Sequence, residues 1–354
     1  MDPRTRQTNS MSDSESSGSD RVGDHRSKMA LTEEELDKLG RQRPKAFGTA
    51  FAEIAFCFSL LASMFMAVST RTQVDNVKRL TSPQEYFISG FGLITPTLAN
   101  ALDIPAGQQI WPASSFSLIA GAVLLPMARV ADVWGSYRVF VAGLFWFAIW
   151  SLACGFSNNY IQLIVFRAIQ GFGPAAFLPS GVMLLGSTYR PGPRKNLVFS
   201  LYGALSPIGF FAGIFSSGVC SQYLSWKWYF WIGAIVLFVV APLALLAAPK
   251  EPILTPGSKM DWLGACTIVP GLCLIVYALT DSAHTPRGWA APQIYLTFVF
   301  GCLFLIAAVY VEGRVATQPL LPADLFQNHT MAPLLIALFF SFGVFGMYLI
   351  YSAF

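Results

Sequence analysis

Long uncharged apolar runs, separated by short polar segments, dominate the chain after residue 45. Eight of these runs are about 20 residues long, the length of a helix that crosses a hydrocarbon core of about 30 Å. A membrane-spanning β-strand needs about half as many residues and alternates polar with apolar positions. The pattern therefore predicts membrane-spanning helices at 112–131, 138–157, 160–181, 197–219, 228–248, 262–280, 293–311 and 333–353.

The first apolar region is interrupted. Apolar residues occupy 54–67 and 86–98, and the charged residues Arg71, Asp75, Lys78 and Arg79 lie in the segment 68–84 between them. Fourteen apolar residues are too few to cross a bilayer. Removing the segment Val68–Gln84 joins Ala67 to Glu85 and restores one span of ordinary length. We therefore expect a first span with an insertion, which makes nine spans in all.

Two origins of this insertion are open. Val68-Ser69 can be encoded as a splice donor, Leu80-Thr81 as a branch site and Gln84 as an acceptor, all in frame. These features predict a translated intron. The alternative is a genuine extramembrane loop between two short hydrophobic arms. Sequencing the transcript distinguishes the two, because only the intron predicts a shorter message.

Composition agrees with a polytopic membrane protein. The apolar fraction is 54% and the charged fraction 12%, about half the charge of an ordinary soluble domain. The first 45 residues carry nine Lys/Arg, nine Asp/Glu and many serines, which predicts a disordered tail over 1–48. Five of six cysteines lie in apolar runs and all three histidines lie outside them. We expect no disulfide framework, metal, cofactor or nucleic-acid partner.

Basic residues set the predicted orientation. If the tail is cytoplasmic and residues 50–98 cross once, seventeen Lys/Arg lie in segments on the cytoplasmic side and two lie outside. Positive residues accumulate on the cytoplasmic side of membrane proteins. The asymmetry predicts a cytoplasmic N-terminus.

Arg167 is the residue that most strongly indicates function. It lies within an apolar stretch and is followed on the same helix by Gln170 and two glycines. An arginine at membrane depth is costly and usually faces a bundle interior on a transport pathway. The alternative is a side chain near the span end that reaches the interface.

The string around Arg167 resembles the fourth-helix motif R-x-x-Q-G-x-G of the major facilitator superfamily. Arg167, Gln170, Gly171 and Gly173 match it. Arg167 and Gln170 share a helix face, and the glycines permit close helix packing. The resemblance implies that Arg167 takes part in proton coupling.

The segment 128–138 resembles the G-x-L-A-D-R-x-G-R-K loop of that superfamily, and Asp132 and Gly135 match it. In the family this loop forms a charge latch on the cytoplasmic side. The resemblance implies that Asp132 pairs with Arg129 or Arg138. The alternative is an ordinary short cytoplasmic turn.

The fifth span resembles the G-P-x-x-G-G motif of drug:proton antiporters. Pro207, Gly209 and Gly213 are present, whereas Ser206 replaces a glycine. These residues suit a kinked helix packed closely on a neighbour, either in an antiporter or by small-residue packing alone. Later features resemble the fungal 14-span drug:proton antiporter branch: Asp261-Trp262-Leu263-Gly264, Gly288-Trp289, Glu312 and Pro319-Leu320-Leu321-Pro322.

Glu85 is a candidate proton carrier. Without Val68–Gln84 it falls near the middle of the first span. There burial raises the pKa of a carboxylate and a nearby cation lowers it, so such a residue can bind and release a proton. We expect it to lie on the order of 10 Å in depth from Arg167, at 1.5 Å per residue. The alternative places Glu85 in a polar loop.

The resemblance implies an all-helical fold with a major-facilitator six-helix bundle over 49–249, a linker pair over 250–312, and the start of a truncated second half over 313–354. It implies a proton-coupled secondary transporter of small organic molecules in the lipid bilayer. The alternatives are a non-transporting fragment, a helix-bundle partner protein, or a sensor. An intramembrane enzyme is disfavoured, because no catalytic set of His, Ser and acidic residues lies within the spans.

Overall fold

The computed structural model describes residues 38–44, 46–67, 86–250, 260–285, 287–316, 318, 320 and 331–351. These residues form helices joined by short turns, and they contain no β-strand. In chain order the helices are α1 Ala50–Ala67, α2 Tyr86–Ala101, α3 Trp111–Trp134, α4 Ser136–Gly155, α5 Tyr160–Gln170, α6 Phe172–Thr188, α7 Pro193–Tyr223, α8 Trp226–Ala247, α9 Trp262–Ser282, α10 Pro292–Tyr310 and α11 Met331–Tyr351.

The all-helical membrane class predicted from hydropathy is confirmed. Seven stretches of the described chain are helical, long and apolar enough to cross a membrane. The fourth predicted span, 160–181, consists of two helices that meet at Gly171 and continue to Thr188. The fifth span begins at Pro193, four residues before the predicted start. Proline suits the first turn of a helix, and hydropathy left this turn out of the predicted span because its side chains are polar.

Capping side chains and a glycine turn fix several of the helix ends. The side chain of Asn159 accepts a hydrogen bond from the Gln162 backbone N–H at 2.8 Å and caps the start of α5. Gly135 joins α3 to α4 with φ 95° and ψ 131°, a conformation that a side chain would strain. The carboxylate of Asp261 caps α9 by accepting from the Gly264 N–H at 2.9 Å.

Helices α1–α8 pack into one bundle. Helix α7 runs beside α1 and α2, α4 packs against α6 and α8, and α3 packs against α5 and α6. Helices α9 and α10 pack against each other, and α9 joins the pair to the bundle through α3. Aromatic rings fill the centre, including the buried side chains of Phe87, Phe147 and Phe177.

The outer surface of the bundle is apolar. Ile149, Phe215, Leu246 and Ile306 are large apolar side chains that are exposed around its circumference. A water-soluble monomer rarely leaves so much apolar surface uncovered. Together with the membrane-length helices, this surface identifies an integral, multi-pass membrane protein.

The segment that precedes α1 differs from the prediction of a disordered tail over 1–48. Gly40 lies so close to Gly192 that a Cβ atom on it would come 3.0 Å from the Gly192 Cα. Phe47 is buried, and its ring lies 5.4 Å from Phe56 and 6.2 Å from Tyr189. Apolar packing on the bundle therefore orders the end of this segment. The predicted insertion Val68–Gln84 and Glu85 lie outside the described residues.

Candidate functional site

Arg167 lies inside the bundle and is inaccessible to solvent. It sits seven residues after the start of α5, about 10 Å along the helix axis. The alternative in which its side chain reaches the membrane interface is therefore wrong. Two neighbouring helices, α2 and α3, and α5 itself supply the polar groups that hold the guanidinium.

Each nitrogen of the Arg167 guanidinium donates a hydrogen bond. Nε donates to the Pro112 carbonyl of α3 at 3.0 Å, and Nη1 donates to the Gln170 side-chain oxygen at 3.0 Å. Nη2 donates to the Phe87 carbonyl of α2 at 3.2 Å. A buried charge is tolerated only when its hydrogen-bonding groups are satisfied. These bonds meet that requirement and join three helices.

Aromatic faces surround the same cation. The Cζ atom of Arg167 lies 4.4 Å from the ring centre of Phe116, 4.6 Å from that of Phe91 and 5.9 Å from that of Phe230. Each such contact contributes about 2 kcal/mol when water is excluded. The site is thus a permanent positive charge in an apolar, low-dielectric setting.

Gln170 extends the polar network to α4. Its amide nitrogen donates to the Ser151 hydroxyl at 2.7 Å, and Ser151 donates to the Phe147 carbonyl at 2.6 Å. Both side chains are fully buried. Because the amide oxygen of Gln170 accepts from Arg167, the side chain has a fixed orientation between a cation and a hydroxyl. The predicted pairing of Arg167 and Gln170 on one helix face is present.

The motif glycines lie where other helices come closest. A Cβ atom on Gly171 would lie 2.7 Å from the Phe116 carbonyl oxygen, and one on Gly173 would lie 2.6 Å from the Phe147 Cβ. No side chain fits at either position without a shift of the neighbouring helix. These glycines hold the Arg167 segment against α3 and α4.

Helix α7 supplies a second close contact, to α2. The Gly213 carbonyl occupies the space where a Cβ atom on Gly90 would be, and the Ser217 hydroxyl donates to the Gly90 carbonyl at 2.5 Å. Gly209 is buried. Helix α7 is continuous through position 207, so Pro207 does not end it.

Sequence reasoning missed a second buried charge. Glu53 in the first turn of α1 is 6% exposed, and its carboxylate forms an ion pair with Arg194 at the start of α7. Arg194 donates from Nε and Nη2 at 2.9 and 2.6 Å, and from Nη1 to the Arg41 carbonyl at 3.2 Å. Each residue looks like an ordinary charge at a span end, so only the fold reveals the pair.

Tyr189 completes this cluster. Its hydroxyl donates to Glu53 Oε1 at 3.2 Å and lies 3.2 Å from the Cys57 sulfur. Burial raises the pKa of Tyr189 well above its ordinary value, so the hydroxyl stays protonated and available as a donor. The Glu53 side chain thus contacts one cation, Arg194, and one neutral donor, Tyr189.

Residues 84–354 match the Major Facilitator Superfamily. The low affinity ammonium transporter of Saccharomyces cerevisiae is 38% identical over 256 residues, which are 70% of this chain and 49% of that protein. The aminotriazole resistance protein of the same yeast is 28% identical over 347 residues, covering 95% of this chain and 60% of that protein. The efflux pump terJ of Aspergillus terreus is 35% identical over 241 residues, covering 65% and 46%.

The chain belongs to the Major Facilitator Superfamily. It spans about half the length of the superfamily relatives that it matches. The Arg167 network and its glycines lie in the span Tyr160–Thr188 of this superfamily chain. The fungal relatives agree with the branch that the sequence indicates.

The segment 128–138, predicted as a loop, is helical on both sides of Gly135, and Arg129 and Asp132 lie near the end of α3. Arg129 Nη1 lies 3.6 Å from Asp132 Oδ2, and Arg129 Nη2 donates to the Gln318 side-chain oxygen at 2.8 Å. Arg138 is exposed. Gly135 provides the turn between the helices, which its positive φ explains. Of the two arginines considered for Asp132, the structure places Arg129 beside it.

The expected depth offset of about 10 Å between Glu85 and Arg167 stays a prediction. Phe87 follows Glu85 by two positions, and its carbonyl lies 3.2 Å from Arg167 Nη2. Glu85 itself lies outside the described residues.

Proposed function

We propose that this chain forms the N-terminal part of a proton-coupled secondary transporter of small organic molecules. The observation that supports the proposal is the buried network of Arg167 and Gln170 at the centre of a membrane-spanning bundle. A structural role alone rarely justifies a fixed charge at this depth, since apolar packing is cheaper.

The charge of Arg167 has a defined electrostatic role in this proposal. In a low-dielectric bundle it stabilises a nearby anion and disfavours a nearby cation. A carboxylate that binds and releases a proton therefore changes the field that a substrate meets. We propose Glu85 as that carboxylate.

Superfamily transport places the substrate between two helix bundles that rock against each other. In this proposal α1–α8 are the first bundle, α9 and α10 link it to the second, and α11 begins the second. The face of residues 38–48 is cytoplasmic, which the distribution of basic residues supports. The loop pair Arg129–Asp132 then acts as a latch on that side.

The relatives guide the choice of probes. One is named an ammonium transporter and another an efflux pump. Methylammonium represents the first class, and a fluorescent amphipathic dye such as rhodamine 6G represents the second. Both are tested in membrane vesicles that contain the complete two-bundle transporter of which this chain is the proposed N-terminal part, with an imposed proton gradient.

We expect uphill movement of at least one probe that a protonophore abolishes. Arg167→Ala and Arg167→Lys are each expected to reduce this transport at least 10-fold. Alanine removes the charge, and the lysine ammonium is a point charge that cannot make the same three hydrogen bonds. Arg287→Ala removes the same charge from an exposed position and serves as the control. No uphill movement of either probe, or transport unchanged in correctly folded Arg167→Ala, contradicts the proposal.

A further inference from the structure

Two side-chain pairs mark the ends of the contact that α1 and α2 make with α7. At one end Glu53 pairs with Arg194, and at the other the hydroxyls of Thr97 and Ser221 lie 2.8 Å apart. The sequence separation of the two partners falls from 141 in the first pair to 124 in the second, a difference of 17. The segment Val68–Gln84 has that same length.

Two parallel helices packed side by side advance equally, at about 1.5 Å per residue, so matched pairs keep a constant sequence separation. Here the number of residues from Glu53 to Thr97 exceeds the number from Arg194 to Ser221 by the length of Val68–Gln84. That excess of chain adds no length along α7. A pair between the two ends agrees within one helical turn, because the separation of Ser217 and Gly90 is 127.

The antiparallel span α5–α6 gives an independent measure. The Leu60 Cδ2 atom lies 3.1 Å from the place that a Cβ atom on Gly181 would take. The centre of the Phe91 ring lies 4.6 Å from the Arg167 Cζ atom. The number of residues from Leu60 to Phe91 exceeds the number from Arg167 to Gly181, and the excess is again the length of Val68–Gln84. When the Phe87 carbonyl replaces Phe91 as the partner of Arg167, the excess is about one helical turn smaller.

The interruption occurs at membrane depth. Helix α1 ends at Ala67, which is about 21 Å beyond Glu53 along the helix axis. The last four carbonyls of α1 and the first four N–H groups of α2 have no partners within their own helices. The hydrocarbon region holds no water to satisfy them, so broken ends there are costly. In one continuous helix each of these groups gains a partner within the helix.

We infer that α1 and α2 are two halves of a single membrane-spanning helix, and that a chain lacking Val68–Gln84 forms this helix without interruption. Hydropathy marks the same segment, but it cannot fix a length to the residue. The register of the packed helices does so, because it counts residues against neighbours that have no insertion. This inference does not rest on the proposed transport activity.

The test compares three deletions with the full chain. Deleting 68–84 preserves the register, whereas deleting 68–82 or 66–84 changes it by two residues and turns α2 by about 200° relative to α1. The readouts are the midpoint of thermal unfolding in detergent and an oxidative cross-link between Thr97→Cys and Ser221→Cys. The cross-link is measured in a Cys220→Ser background, because Cys220 is the neighbour of Ser221.

We expect the deletion of 68–84 to raise the unfolding midpoint by about 5 °C and to retain the cross-link. The deletions of 68–82 and 66–84 are expected to lower the midpoint below that of the full chain and to lose the cross-link. A 68–84 deletion that is less stable than the full chain overturns the inference. So does either of the other two deletions if it equals the 68–84 deletion in both readouts.

Discussion

The carboxylate of Glu53 on α1 accepts hydrogen bonds from both Nε and Nη2 of Arg194 on α7. One bidentate ion pair thus joins the beginnings of two helices that are distant in sequence. Glu53 is almost fully buried, whereas a third of the Arg194 side chain is exposed. The energy of the pair therefore lies between that of a surface pair and that of a buried one.

Removing the cation leaves a buried carboxylate without its main partner. We expect Arg194→Ala to lower the free energy of unfolding by about 2 kcal/mol, between the exposed and buried limits. Glu53→Gln should cost less, because an amide leaves no buried charge. Thermal unfolding in detergent measures both. Arg190→Ala, at an exposed position in the turn before α7, is the control, and an equal loss there would contradict the assignment.

Tyr189 supports the same carboxylate. We expect Tyr189→Phe to lower the free energy of unfolding by about 1 kcal/mol, the net value of one hydrogen bond. Burial raises the pKa of Tyr189 in the folded protein, so its contribution is complete below the unfolded pKa of about 10 and is lost above it. The difference between Tyr189→Phe and the unaltered chain should therefore be constant from pH 6 to 9 and shrink above pH 10. A difference that already varies below pH 9 would rule out this role.

Gly90 and Gly92 provide a matched pair of positions on α2. A Cβ atom on Gly90 would overlap the Gly213 carbonyl and the Tyr229 ring, whereas one on Gly92 meets nothing within 4 Å. We expect Gly90→Ala to destabilise the fold by about 1–3 kcal/mol through overpacking. Gly92→Ala should be neutral or slightly stabilising, since alanine favours helix formation. Equal unfolding midpoints for the two variants would refute this account of the helix contact.

Gly135 is predicted to matter for its backbone conformation. Its φ of 95° lies in a region that side chains rarely adopt, so Gly135→Ala should cost about 1–3 kcal/mol. Gly121→Ala lies in α3 with no atom within 4 Å of its ideal Cβ position and is the comparison. Unfolding experiments on both variants test the turn, and an unaffected Gly135→Ala would show that the turn relaxes without strain.

The electric field of the Arg167 cation can be neutralised without replacing Arg167. Gln170→Glu places a carboxylate about one hydrogen-bond length from the guanidinium, where Gln170 Oε1 now lies at 3.0 Å. We expect the fold to survive, because opposite charges in a low-dielectric setting attract strongly. Proton-coupled transport should fall at least 10-fold, since the field of the cation is neutralised. Undiminished transport by this variant would separate Gln170 from the coupling mechanism.

The sequence predicts the spans well because the bilayer imposes one length and one polarity on every crossing helix. It also predicts that Arg167 and Gln170 share a face, since three residues make nearly one helical turn. The remaining partners of Arg167 are the backbone carbonyls of Phe87 and Pro112. Every residue type carries a carbonyl, so no sequence signal marks these positions.

The break at Gly171 and the pair of Glu53 with Arg194 could not be predicted for a related reason. Gly171 ends α5 where the Phe116 carbonyl comes close, and that contact exists only after α3 and α5 pack. The ion pair depends on the meeting of two helix ends that are distant in sequence. Both features belong to tertiary structure and leave no periodic pattern in the chain.

Two of the three hydrogen bonds of the Arg167 guanidinium cross to other helices, α2 and α3, and the third stays within α5. Helix α5 cannot slide or rotate relative to α2 and α3 unless a fully desolvated charge loses its acceptors. Such a loss costs more than thermal agitation supplies. A movement of α5 that keeps these bonds must therefore carry α2 and α3 with it.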